Sequence, residues 1–90
     1  MKRRRIHKKT WPEEFHLLKS KRKNIELRLA DFKLRQGDVL VLEEWDPKQR
    51  QYTGRTIERK VGLVLKFNLA KWNPVADIKK YGHYLIWLDD

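Results

Sequence analysis

Four consecutive apolar residues, Val39-Leu40-Val41-Leu42, constrain the fold of this chain more than any other feature. They lie between the turn residues Gln36-Gly37-Asp38 and the segment Glu44-Trp45-Asp46-Pro47. The run is short, carries Val at alternate positions and ends at an Asp-Pro turn signal, so it reads as a buried strand. The chain must cover that strand with 90 residues and no cysteine. One core, stabilised by packing without disulfides, is all that this length supports. Ten aromatics among the 40% apolar residues supply bulk for it, and the chain is expected to fold despite 38% charged residues.

Other elements follow from periodicity. Arg4 to Lys9 is too basic for a fully buried strand, but Ile6 pins it as a strand with one wet face. Thr10-Trp11-Pro12-Glu13 has the spacing of a capping box with Pro in the first turn, which predicts a helix that ends near Ser20. Trp11, Phe15 and Leu18 would share its buried side. Asn24 to Leu29 alternates, with Ile25, Leu27 and Leu29 on one face and Glu26 and Arg28 on the other, as in a half-buried strand. A turn is expected at Thr53-Gly54, then a long strand from Arg55 to Leu65 with a bend at Gly62. A short helix after Asn73-Pro74 and a last strand over His83 to Leu88 complete the chain. This pattern predicts an α+β fold, mostly β: a small curled sheet or barrel closed at one end by a single N-terminal helix. Residues 1–5 read as a basic arm and 6–90 as one domain.

Charge narrows the partners. The formal net charge is +10, and residues 1–35 hold 13 basic against 4 acidic groups. A polyanion-facing surface is therefore expected from the N-terminal third. No apolar run is long enough to span a bilayer and no hydrophobic signal segment follows Met1-Lys2-Arg3-Arg4-Arg5, so a cytoplasmic protein without membrane contact is expected. The absence of cysteine removes thiolate ligands and nucleophiles, and His7, His16 and His83 lack metal-ligand spacing; neither metal nor cofactor is expected.

The richest constellation is Lys23, Glu26 and Arg28. A carboxylate between two cations has its charged form favoured, and such a set can orient a nucleobase edge, activate a nucleophile or form a plain surface ion-pair ladder. Spacing leaves all three open. Trp45 and Tyr52, near polar loop ends, are the aromatics most suited to stacking on a base.

Lys23-x-x-Glu26-x-Arg28 resembles the K-x-x-E-x-R part of the ASCH domain signature, with Lys21 where that pattern usually has Gly. His7-Lys8-Lys9-Thr10-Trp11-Pro12-Glu13-Glu14-Phe15, Gly37-Asp38, Glu44-Trp45-Asp46-Pro47 and Tyr52-Thr53-Gly54-Arg55 resemble one small branch of that superfamily, over residues 6 to 66. The resemblance implies a PUA-like β-barrel, associated with RNA and modified-base recognition, with the signature strand facing a cleft. Some ASCH proteins remove acyl groups from the N4 of cytidine-type nucleosides with a Lys, a Thr and a Glu. By position the Lys is Lys23, the Thr falls on Glu26, and Glu58 is the candidate for the distal Glu.

The expected function is an RNA- or modified-nucleotide-binding module, most simply a monomer. Arg3, Arg4, Arg5, Lys21, Arg22 and Lys23 would contact phosphates, while Glu26 and Arg28 would read a base. The alternatives are an amidohydrolase acting on N4-acylated cytidine-type nucleosides and a basic scaffold whose charge serves solubility.

Overall fold

The computed structural model describes residues 3–84. Strand β1 (Arg5–Thr10) leads into helix α1 (Pro12–Lys19); strands β2 (Val39–Asp46) and β3 (Gln51–Lys60) follow. A single 3-10 turn at Leu69–Lys71 precedes helix α2 (Val75–Tyr81). The Val39–Leu42 run needs cover on both faces, and β2 accordingly occupies the middle of the sheet, parallel to β1 and antiparallel to β3. Leu40, Val41 and Leu42 are all buried.

Because side chains alternate, register decides what shares a face. Ile6, Lys8 and Thr10 lie opposite Leu40, Leu42 and Glu44, and Leu40 and Leu42 lie opposite Arg59 and Ile57. These residues form the inner face, which α1 covers through β2. Leu18 joins Leu40, Leu42 and Val61 in the core, with Ile6, Leu34 and Ile57 packed against them, and Phe15 of α1 is also buried. Arg5, His7, Lys9, Val41, Glu43, Trp45, Tyr52 and Glu58 fall on the outer face.

The α+β, strand-rich character agrees with the sequence, but the sheet of the described residues is open, with β1 and β3 as its edges. Several local expectations are corrected. Asn24 to Leu29 forms no paired strand; side-chain bonds from Arg28 and Arg59 hold it, and Leu27 and Leu29 stay exposed. Thr10 is not a helix cap but the buried last residue of β1; Trp11 takes the cap position without a side-chain bond and is exposed. The hairpin turn lies at residues 47–50, where Asp46 Oδ1 accepts from the main-chain nitrogens of Lys48 and Gln49 at 2.9 and 3.2 Å.

Thr53-Gly54 lies inside β3, not in a turn. The register passes from Glu43 opposite Thr56 to Trp45 opposite Tyr52, so Thr53, Gly54 and Arg55 together face Glu44. Gly54, at φ +92°, supplies the left-handed residue around which this bulge is built. The strand then stops at Lys60, before Gly62, and leaves Leu63 and Leu65 exposed. The short helix after Pro74 is present as expected, whereas most of the His83 to Leu88 strand lies outside the described residues.

The stretch read as a basic arm is partly built into the sheet. Strand β1 begins at Arg5, and Arg4 donates from Nε and Nη2 to the two carboxylate oxygens of buried Asp38 at 3.2 and 2.6 Å. Asp38 also accepts from the Arg35 amide at 2.8 Å. The Arg4 hydrogen bond holds the Asp38 carboxyl below the ordinary aspartate value, against the opposing pull of burial and with help from the Arg35 amide. Arg5 pairs with Glu58.

Substitution of Gly54 by Ala should cost about 1–2 kcal/mol in urea unfolding, because a Cβ at this φ is strained although nothing crowds it. Gly62→Ala, where φ is not left-handed and no heavy atom lies within 4 Å, should be neutral or slightly stabilising. Equal effects at the two positions would refute the bulge.

Candidate functional site

A cleft of about 390 Å³ opens on the inner face between the sheet, residues 24–34 and residues 60–66. Its size falls within the roughly 300–1,000 Å³ usual for small-molecule sites. Leu40, Leu42, Phe32 and Leu34 give it apolar walls, and Asn24, Glu26, Arg28 and Arg59 supply polar groups.

Glu26 and Arg28 do come together here. Arg28 Nε donates to Glu26 Oε2 at 2.6 Å, and Arg28 Nη2 donates to the Lys9 carbonyl and to Thr10 Oγ1, each at 3.0 Å. Thr10, lost as a helix cap, thus fixes the guanidinium from the end of β1. Two rows of donors are committed, while Arg28 Nη1 and Glu26 Oε1 have no partner among the described residues. The pair therefore leaves one donor and one acceptor unengaged, the two kinds of group that a base edge can meet. Lys8 holds its ammonium 3.6 Å from the ring centre of Phe32 on the same side.

Other expected site residues lie elsewhere. Lys23 is not beside Glu26; it pairs with Glu14 of α1 and does not line the cleft. Glu58 faces the opposite side of the sheet in its pair with Arg5. Trp45 and Tyr52 meet edge-on at 4.9 Å on that outer face, with Lys9 Nζ 3.7 Å from the Trp45 ring. Lys21 and Arg22 are exposed just beyond α1, and Arg3 is exposed before β1. Arg59, unremarked in the sequence, is structural: it donates to the Leu18 carbonyl at the end of α1 at 2.8 Å and to Asn24 Oδ1 at 2.7 Å.

Sequence reasoning also passed over Glu44, the one fully buried carboxylate among the described residues. Its signal was present: a Glu follows Leu40 and Leu42 at the inward-facing parity. The β3 bulge answers it, because Thr53 Oγ1 and Arg55 Nε both donate to Oε1 at 2.7 Å. The second oxygen has only His16 Nε2 near it, at 3.7 Å. Burial pushes the Glu44 carboxyl up, but the bonds from Thr53 and Arg55, with the Arg55 charge and His16, outweigh it and hold it below the ordinary glutamate value. Its bonds to Thr53 and Arg55 join β2 to β3. No group of three or more His, Cys, Asp or Glu residues able to hold a metal occurs among the described residues.

The described residues thus form a small α+β unit with an open three-stranded sheet, an N-terminal helix and an inner-face cleft walled by a tethered Glu-Arg pair. Residues 6–74 match the family model described as "Domain of unknown function (DUF3850)", and the chain belongs to that family. No curated protein matches it.

Arg55→Met should destabilise the fold by about 1–3 kcal/mol at neutral pH, the cost of leaving a buried acceptor poorly satisfied. Since the folded Glu44 carboxyl lies below its unfolded value, its stabilisation is complete above about pH 4.3 and is lost as pH falls through the folded value. The gap between wild type and variant should therefore narrow in acid, as chemical denaturation at several pH values would show. A gap independent of pH would remove Glu44 from the account.

Proposed function

We propose that this protein is an RNA-binding module that takes a nucleobase or modified nucleotide into the inner-face cleft. The observation that carries the reading is the Glu26–Arg28 pair at the cleft wall, fixed by Lys9 and Thr10 with one donor row and one acceptor still unengaged. A base placed there would lie against Phe32 and the aliphatic walls while its edge meets the pair. The high positive charge, with Lys21 and Arg22 exposed beside α1, supplies phosphate contacts that raise affinity without reading sequence.

The ASCH and PUA-like resemblance belongs to the same proposal, including closure of the sheet into a barrel. Leu63 and Leu65, exposed at strand spacing just after β3, support it, because further strand pairing would cover them. Deacylation of an N4-acylated cytidine is the less favoured reading. Lys23 is engaged by Glu14 and lies outside the cleft lining, and Glu26 stands where the deacylating relatives have a hydroxyl.

Binding of single-stranded RNA should weaken linearly on a log–log plot against salt, by a slope of about −0.7 per phosphate contact. Glu26→Gln should weaken nucleotide binding by about 1–3 kcal/mol in calorimetric titration. Release of acetate from N4-acetylcytidine should not exceed that in buffer. A flat salt dependence would defeat the RNA reading, and turnover abolished by Lys23→Ala would replace it with the amidohydrolase.

A further inference from the structure

Trp45 of β2 and Tyr52 of β3 stand directly opposite one another near the hairpin end of the sheet, on the face turned away from the cleft. Their rings meet edge-on at 4.9 Å, and Lys9 of β1 lays its ammonium 3.7 Å from the indole centre and 5.9 Å from the phenol ring centre. The lysine covers a face of Trp45, whereas Tyr52 is 50% exposed. A cross-strand aromatic pair by itself holds a hairpin together and needs no cations. Yet the turn of residues 47–50, which joins the two strands, adds exposed Lys48 and Arg50 to Lys9. Arg50 holds φ +56°, in the left-handed region that a glycine would enter freely, so its guanidinium stands at the tip against the preference of its own backbone.

The acids at this end of the sheet are already engaged. Asp46 Oδ1 accepts from the turn amides of Lys48 and Gln49, Glu44 is buried against Thr53 and Arg55, and Glu43 lies 3.5 Å from His7. None of Lys9, Lys48 and Arg50 has a carboxylate partner among the described residues. A half-exposed ring beside such cations suits a ligand that joins flat rings to negative charges, which is the chemistry of a single-stranded nucleic acid. An acidic peptide would meet the cations but leave the ring without a partner. A duplex would meet them too, but its bases are stacked on one another and closed to Tyr52.

We infer that the hairpin end is a second RNA station, with a base stacked on Tyr52 and phosphates held by Lys9, Lys48 and Arg50. It rests on the RNA reading above for its ligand class and goes beyond it in place, because the sheet itself separates Tyr52 from the Glu26–Arg28 pair. Each face takes its own segment of RNA, and neither segment has to pass an edge of the sheet. Closure of the sheet into a barrel leaves the station as it is, since closure encloses the inner face and Tyr52 lies on the outer one.

The test titrates an unstructured RNA of about four nucleotides, a length within single-strand site sizes, into the isotopically labelled full chain, whose backbone amide resonances report each station separately. Amides of residues 48–55 should shift as RNA is added. Tyr52→Ala should weaken the affinity read there by about tenfold, as loss of one stacked base does, and Glu26→Gln should leave it within about twofold. Lys9→Gln and Arg50→Gly should each weaken it severalfold, Arg50→Gly without lowering the thermal midpoint, because glycine accepts that φ. Should Tyr52→Ala unfold the protein, Tyr52→Leu together with Arg50→Gly decides the question. Hairpin amides that ignore RNA, an affinity unchanged in both the Tyr52 and Lys9 variants, or an equal response to polyglutamate would overturn the station and leave the cleft reading standing. A hairpin response with none at residues 24–30 would overturn the cleft reading instead and uphold this one. Silence at both stations would overturn both.

Discussion

The need to bury Leu40, Val41 and Leu42 together governs this molecule. Residues of a strand point alternately to either side, so a short apolar run of this kind is satisfied only in the middle of a sheet. A strand in the middle must be held to neighbours on both edges, and two carboxylates strengthen what the ladder begins. Asp38, just before β2, accepts Arg4 from the start of β1, and Glu44, near its end, accepts Arg55 from the β3 bulge. Each carboxylate also takes a second donor, the Arg35 amide or the Thr53 hydroxyl. Burial of a carboxylate is costly unless its lone pairs are met in this way. The Gly54 bulge is the backbone adjustment that brings Thr53 and Arg55 to the same oxygen.

The same economy explains where the positive charge goes. Arg4, Arg5, Arg28, Arg55 and Arg59 all have carboxylate, carbonyl or hydroxyl partners within the fold. Planar guanidinium groups suit such multiple, directed bonds better than ammonium groups do. Lys8 and Lys9 instead lie over aromatic rings, and Lys21 and Arg22 are exposed on the surface. Net charge therefore overstates what is free to meet a polyanion.

The core strand, the helix that follows β1, the Asp-Pro turn and the short helix after Pro74 were legible because each depends on neighbours within a few residues. Glu26 and Arg28 were legible as a pair for the same reason, since alternate residues of an extended segment share a side. Lys23 was misplaced because a long side chain at the end of a helix can reach back, and Glu14 lies within its reach. Thr10 was misassigned because the capping-box pattern is local, whereas burial of its hydroxyl under Arg28 depends on a residue far along the chain. The Thr53-Gly54 turn failed for a related reason: a left-handed glycine serves a turn and a bulge equally well, and only the residue opposite it distinguishes them.

Sequence alone determined that the chain makes a small, strand-rich α+β core around Val39–Leu42, that its N-terminal third is basic, and that Glu26 and Arg28 are placed to pair. These follow from periodicity and composition, which operate over short stretches. Only the tertiary structure decided that β1 lies parallel to β2, that Glu44 is buried beneath the β3 bulge, that Thr10 and Lys9 anchor Arg28, and that Trp45 and Tyr52 face away from the cleft. Each of these is a contact between segments distant in sequence. Register and burial set such contacts, and neither quantity exists until the strands have paired.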